Sequence, residues 1–323
     1  MKLIIQVPCY NEAETLPLTL SALPRSVAGF DSVEWLIIDD GSIDDTVRVA
    51  KETGADYIVR HTRNQGLARA FMTGIRECVR LGADVIVNTD ADNQYDARDI
   101  PSLVRPILDG SADMVVGARP IDNISHFSPT KKILQKIGSW VVRTVSRTDI
   151  PDAASGFRAI RKDAARELSV FNDYTYTLET LIQAGQKNMA ITSVPVRVNQ
   201  QSRPSRLIKS IPDYLMRSFI TIIRIFIIYQ PFLFFSLIGA ILFGAGFLLG
   251  LRYLYFFLIG MGSGHVQSLI LASVLLGMGF QTFLIAFMAD LLASNRKILE
   301  EIRYHLNRVE MNNFFTDKRG NNK

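Results

Sequence analysis

Cysteine is scarce in this chain: among 323 residues only Cys9 and Cys78 carry a thiol, and they do not have metal-site spacing. That excludes a disulfide-stapled scaffold and a thiolate zinc centre, and it fits a reducing compartment. Histidine is nearly as rare. His61, His126, His265 and His305 lie far apart, which excludes a histidine metal cluster and leaves no candidate for a histidine general base. A leader is not expected either. Met1-Lys2 precedes the short apolar run Leu3–Val7, which has the length of a strand and is too short for the core of a signal peptide. No segment repeats at a fixed period, as the halves of a translocator would.

The most informative absence is of charge. Between Ile225 and Ala289 the one charged residue is Arg252. Pro231–Leu251 is an uncharged apolar run of 21 residues, and Val266–Ala289 is another of 24. At about 1.5 Å per helical residue, each can cross a hydrocarbon layer about 30 Å thick. Helices of a soluble core rarely run so far without a charge. Gly260-Met261-Gly262-Ser263-Gly264 lies between the two runs, and with no strand before it this glycine cluster belongs to the membrane turn. Gly246 and Gly250 have the four-residue spacing of close helix packing, which a homo-oligomer or a tight pair of spans explains equally.

Basic residues collect beside these runs. Residues 1–205 hold 24 Lys/Arg against 25 Asp/Glu, whereas residues 206–323 hold 12 against 6. Arg206, Lys209, Arg217 and Arg224 precede the spans, and Arg296, Lys297, Arg303 and Arg308 follow them. The positive-inside rule then puts both chain ends in the cytoplasm. The basic pI of about 9.2 reads as attraction to anionic lipid headgroups, not to nucleic acid. Ser210–Tyr229, with Leu215, Phe219, Ile222 and Phe226 at helical spacing, reads as a helix lying in the membrane interface. The expected organisation is a cytoplasmic domain over 1–205, an interfacial amphipathic helix within 206–230, two transmembrane helices over 231–293 and a basic cytoplasmic tail over 294–323. The protein is expected in the cytoplasmic membrane.

The first half alternates strand-like and helix-like segments. Leu3–Val7, Val33–Ile38, Tyr57–Arg60, Val85–Thr89 and Met114–Val116 read as strands. Helical patterns over Glu14–Leu23, Thr46–Glu52, Leu67–Leu81 and Ile100–Leu108 lie between them. Such alternation predicts an α/β fold with a mostly parallel sheet, and ligands gather at the carboxyl ends of such strands. Further helices are expected over Ile133–Arg147 and Leu178–Lys187, and a strand over Ile191–Val198. The polar stretch 119–132 is long enough to suggest a functional lid, and 199–206 reads as a basic linker.

Three chemistry-bearing motifs fall at the expected strand ends. In extended backbone, Asp90, Asp92 and Gln94 would point the same way, and hard oxygen ligands suit Mg²⁺ or Mn²⁺. In Asp39-Asp40-Gly41-Ser42 with Asp44, the carboxylates can accept hydrogen bonds from a base and a ribose, while Ser42 or Asp44 can cap the next helix. Pro8-Cys9-Tyr10-Asn11-Glu12 ends the first strand, with Asn11 as a candidate helix cap.

These motifs, in order with Asn64-Gln65-Gly66, Gly117-Ala118-Arg119 and Ser155-Gly156-Phe157-Arg158, resemble family 2 glycosyltransferases of the polyprenyl-phosphate group, among them the dolichyl-phosphate mannose synthases. The resemblance covers roughly residues 1–210, and the two later spans are similar to those of many members. It implies a GT-A fold and an inverting transfer of one sugar from a nucleotide-sugar donor to a polyprenyl phosphate. It places Pro8, Tyr10, Glu12 and Asp39 at the nucleotide, with Asp40, Ser42, Asp90 and Ala91 in the same donor-binding set. Asp90, Asp92 and Gln94 match its metal-diphosphate site. Arg119 and Arg203 match phosphate-binding positions, and Arg158 and Arg206 are sensible additions to an acceptor clamp. Asp152 falls where some members have been assigned a catalytic carboxylate, and orienting Arg158 or a loop is an equal reading. Asp92, Asp152 and Arg119 are thus the candidate catalytic residues. A processive polysaccharide synthase would share the front half, but such enzymes carry Gln-x-x-Arg-Trp and more spans. Here Gln200-Gln201-Ser202-Arg203 is followed by Pro204. An inactive nucleotide-sugar-binding subunit should have lost acidic ligands, and these are present.

Overall fold

The computed structural model describes residues 1–120, 148–170, 176–199 and 227–320, with single positions at 143, 146, 220, 223 and 224. The helix expected over Ile133–Arg147, most of the 119–132 lid, the 199–206 linker beyond Asn199 and most of the interfacial helix lie outside the described residues.

Strands β1 Lys2–Cys9, β2 Ser32–Asp39, β3 Tyr57–Arg60, β4 Val85–Asn88, β5 Met114–Ala118, β6 Arg158–Arg161 and β7 Ile191–Pro195 form one sheet in the order β3-β2-β1-β4-β6-β5-β7. Every neighbouring pair is parallel except those made by β6, which runs antiparallel to β4 and β5. The central strands are apolar almost without interruption because both sheet faces are covered. Alternation sends Leu3, Ile5 and Val7 into one core with Leu16, Leu20, Ile100 and Val104. Ile4, Leu36 and Ile38 face the other way, against Ala68, Phe71 and Ile75. The helices that supply these partners are α1 Leu16–Ala22, α3 Leu67–Arg80 and α4 Ile100–Leu108, while α2 Thr46–Glu52, α5 Lys162–Glu167 and α6 Thr177–Gln186 complete the layer.

The strand order reverses between β1 and β4. β1 leads outward to β2 and β3 on one side, and β4 begins the other. A crevice at the carboxyl ends of β1 and β4 is therefore the expected binding place. The reversed β6 serves the same edge. Its first residue, Arg158, pairs with Asn88 at the end of β4, so residues 152–157 arrive beside Asp90.

A separate compact unit, Phe219–Glu310, holds the long helix α7 Pro231–Leu258 and, as far as Glu310, the long helix α8 Val266–Gly320. Pro231–Leu258 and Val266–Arg296 are long and apolar enough to cross a membrane. Between these two helices Gly246 is a packing position and Gly250 is not. A Cβ at Gly246 would meet Leu276 N at 2.8 Å and Ala272 O at 3.0 Å, whereas Gly250 has nothing within 4 Å. The small residues that matter are seven apart: Gly239 and Gly246 on α7, and Ala272, Gly279 and Ala286 on α8, all of them buried. A seven-residue seam stays on one side of a helix over several turns, which a single four-residue pair does not.

Candidate active site

The β1 and β2 ends form one tied structure. Asn11 N donates to Ser42 Oγ at 2.9 Å and Ile43 N donates to Asn11 Oδ1 at 2.9 Å, while Glu12 N donates to Thr46 Oγ1 at 2.9 Å. Asn11 thus binds two loops together from a left-handed conformation, φ 54°. It is not the cap of α1, whose capping position is Thr15. Thr15 Oγ1 donates to Glu12 Oε2 at 2.6 Å. The capping position of α2 is Asp45, with no side-chain cap bond, so neither Ser42 nor Asp44 is its cap. The Asp44 carboxylate accepts from Thr46 N and Ala13 N at 3.1 Å each and ties the two loops together just before the helix. These bonds and one from the Thr46 hydroxyl hold its pKa below the usual carboxylate range against the opposing effect of burial, which is the largest single influence.

Asp39 and Asp40 have different work. Asp40 accepts from Gln65 N at 2.9 Å and Gly66 N at 2.8 Å, and its Oδ1 lies 2.7 Å from His61 Nδ1. It clamps the Asn64-Gln65-Gly66 loop and stands apart from the nucleotide role assigned to it in sequence. His61 Nε2 lies 3.0 Å from Thr73 Oγ1, so this histidine is structural. Gly41 is required between them, since a Cβ there would fall 2.4 Å from the Arg63 carbonyl carbon, at φ 74°. Asp39, fully buried, accepts Ser42 N at Oδ1. Its Oδ2 is 3.0 Å from Arg60 Nε, without hydrogen-bond alignment, and among the described residues it accepts no hydrogen bond. Pro8 is buried within β1, and Tyr10 is exposed at its end.

At the end of β4 the backbone turns at Ala91–Asp92, and Asn93 adopts φ 54°. The alternation that would align Asp90, Asp92 and Gln94 does not apply to such a turn. Asp92 Oδ1 instead accepts Gln94 N at 3.0 Å, and the Ala91 carbonyl accepts Thr19 Oγ1 at 2.8 Å. Burial, then the charge of Asp92, pushes the Asp90 carboxyl up to about 7, with Arg119 opposing. A buried carboxyl beside a second carboxylate, both hard oxygen ligands, fits a divalent cation. Among the described residues no group of three His, Cys, Asp or Glu could hold a metal. A cation here would share Asp90 and Asp92 with phosphate oxygens, the sparse protein coordination that Mg²⁺ accepts.

Arg119 and Asp152 form a buried pair. Arg119 Nε donates to Asp152 Oδ2 at 2.6 Å and Nη2 to Oδ1 at 3.0 Å, a fork that occupies both carboxylate oxygens. Asp152 therefore orients Arg119, not Arg158. Arg158 is also not an acceptor clamp. It is fully buried and donates to Ser155 O, Ala153 O and Thr180 Oγ1, each at 2.8 Å, fastening the 152–157 turn to α6. Burial lowers its pKa. Arg203 and Arg206 lie outside the described residues.

Several site residues went unrecognised in the sequence. Asn88 donates to Gly156 O at 2.8 Å and to the Tyr176 hydroxyl at 2.9 Å, and accepts Gln6 Nε2 at 2.8 Å. Gly156 N donates to the Tyr95 hydroxyl at 3.0 Å. Gly156 is pressed so near Asp90 that a Cβ would lie 3.1 Å from both carboxylate oxygens. Gln6 and Asn88 were visible as polar interruptions in two buried strands. Tyr176 gives no local signal.

A sheet with acidic loops at the switch between β1 and β4, and a guanidinium held beside them, defines an α/β domain of the nucleotide-binding kind. Residues 4–169 match the model of glycosyl transferase family 2, and the chain belongs to that family. It is 30% identical over 213 residues to the UDP-N-acetylglucosamine–dolichyl-phosphate N-acetylglucosaminyltransferase of Methanococcus voltae, covering 59% of this chain and 83% of that one. It is 28% identical over 206 residues to the undecaprenyl-phosphate mannosyltransferase of Micrococcus luteus, covering 61% and 83%. Among solved structures it is similar in fold to glucosyl-3-phosphoglycerate synthase from Mycobacterium tuberculosis, with a TM-score of 0.55 at 20% identity, covering 69% of this chain and 78% of that one.

Proposed function

We propose that this glycosyltransferase moves one sugar, with inversion, from a nucleotide-sugar to polyprenyl phosphate at the cytoplasmic face of a membrane, giving a polyprenyl-monophosphate sugar. The observation that carries the reading is the Asp90–Asp92 pair within electrostatic reach of the buried Arg119–Asp152 pair at the sheet's topological switch. Two helices long and apolar enough to cross a membrane, and relatives named for undecaprenyl- and dolichyl-phosphate transfer, support a lipid phosphate as acceptor. UDP-hexoses and UDP-N-acetylhexosamines are the first donor candidates, with GDP-mannose next.

Asp39 Oδ2 is the buried acceptor available to a nucleobase N–H. Asp90 and Asp92, with Gln94 beside them, would hold Mg²⁺ or Mn²⁺, which when bound supplies Lewis-acid stabilisation of a leaving diphosphate. Arg119, fixed by Asp152, places a guanidinium for phosphate oxygens. A lipid phosphate oxygen bonds to the anomeric carbon while that carbon's bond to the nucleoside diphosphate breaks, the electron pair leaving with the diphosphate. A phosphate monoester has its second pKa at about 6, so the nucleophile is already ionised near neutrality. Asp152 has both oxygens on Arg119 and is a positioning group in this scheme. Arg203 and Arg206 complete the acceptor site on sequence grounds, and the 1–205, 206–230, 231–293 and 294–323 divisions belong to the same proposal.

The test incubates the detergent-purified full chain with Mg²⁺ or Mn²⁺, a short polyprenyl phosphate and a panel of UDP- and GDP-sugars, and weighs the lipid products by mass spectrometry. One species heavier by a single sugar is expected, reduced at least about 100-fold in Asp92→Ala. A polymer, or no lipid-linked product with any donor, sinks the reading.

A further inference from the structure

The loop from Asp90 to Tyr95 lacks a strand partner of its own for most of its length, so its carbonyls need donors from elsewhere. Thr19 serves Ala91. The next three in need are served by a single residue. Asn199 N donates to Gln94 O at 2.9 Å, and Asn199 Nδ2 donates to Asn93 O at 2.9 Å and Tyr95 O at 3.3 Å. An amide has two N–H donors on its side chain, and both go to the loop. Asn199 lies four residues beyond β7, on a segment that runs beside the loop through the Tyr95–Val198 bridge and the bond from Asp96 N to Arg197 O at 3.3 Å. Arg197 N adds a bond of 2.6 Å to Asp99.

We propose that Asn199 is a positioning residue for the metal-diphosphate loop: by holding the Asn93, Gln94 and Tyr95 carbonyls it fixes the backbone carrying Asp90 and Asp92, and so sets how tightly that pair binds a divalent cation. The inference rests on the cation role given to Asp90 and Asp92 above. Groups one layer behind a metal site orient its ligands, and their loss typically costs about 10- to 100-fold in affinity. The amide acts by geometry alone, since it neither titrates nor reaches the reacting atoms in this scheme. Were Asn199 only a staple between β7 and the sheet, its loss would lower stability and leave cation affinity unchanged.

The experiment measures Mn²⁺ binding to the detergent-purified full chain by electron paramagnetic resonance of the unbound ion, with thermal melting of the same samples. Asn199→Asp keeps the size of the side chain but turns its donor into an acceptor facing two carbonyls. Asn199→Ala removes the amide, adds no charge, and carries the test if the aspartate variant does not fold. Both are expected to raise the Mn²⁺ Kd about 10-fold or more. Arg197→Ala, which cuts the ion pairs of the same segment but leaves Asn199, is expected to stay within about twofold of the parent. Parent-like Mn²⁺ affinity in the Asn199 variants overturns the proposal, as does an Arg197→Ala loss equal to that of Asn199→Ala. Asp92→Ala tells the two levels apart. If it binds Mn²⁺ like the parent, the cation site itself fails; if it loses binding while the Asn199 variants keep theirs, only the positioning role fails.

Discussion

Asp90 sits where burial and the Asp92 charge both disfavour its ionised form, and its carboxyl is pushed up to about 7, well above the ordinary carboxylate range. The folded, metal-free protein therefore keeps a proton there that the unfolded chain releases near pH 4. The resulting stabilisation is complete below the unfolded pKa and is lost as pH rises through about 7. At 1.36 kcal/mol per unit the shift corresponds to stabilisation on the order of a few kcal/mol. Without divalent ions, Asp90→Asn should thus melt above the parent at about pH 8 and lose that advantage at about pH 4. Thermal melting with a chelator at both pH values checks this. An equal difference at the two pH values would remove Asp90 as the strained group. Added Mn²⁺ should stabilise the parent at the higher pH and leave the variant unmoved, because the ion supplies the charge that burial withholds.

At the scale of elements, the strands were legible because a sheet covered on both faces asks for unbroken apolar runs: Leu3–Val7 falls inside β1 and Val33–Ile38 inside β2. The direction of β6 was not. Arg-Ala-Ile-Arg carries no mark of its polarity, which is set by pairing with β4 and β5. The motif at Asp90 was found, but its shape was misjudged, since two-residue alternation fails once the chain turns at Ala91–Asp92. Arg158 reads as a phosphate ligand until the carbonyls around it are known. Its partners Ala153 and Ser155 are near in sequence, but burial beneath α6 depends on a distant segment. The glycines of α7 show the same limit. Gly246→Leu is expected to drive a side chain into the α8 backbone and cost about 1–3 kcal/mol, seen as a fall in melting temperature in detergent. Gly250→Leu, facing open space, should change stability by no more than about 0.5 kcal/mol. Equal losses at both positions would mean that the four-residue spacing governs the pairing after all.

At the scale of the whole molecule, orientation rests on charge asymmetry. Eight basic residues flank the spans, from Arg206 to Arg224 and from Arg296 to Arg308, against Arg252 alone near the connection. A bias of that size on short segments predicts a topology, with the 260–264 turn outside and the sugar-transferring domain inside. The native thiols make this readable. Cys9 and Cys78 are buried, and burial pushes both well above the ordinary thiol range, so neither offers a reactive thiolate. Met261→Cys introduces a thiol at an exposed position in the connection, and Leu18→Cys one on the exposed side of α1. In sealed cells a membrane-impermeant maleimide should label the first and spare the second, and both should label after lysis. The reverse pattern would place the domain outside the membrane and away from cytoplasmic nucleotide-sugars, and identical labelling of both positions before lysis would mean that the connection and the domain share one side and that the two helices do not each cross once.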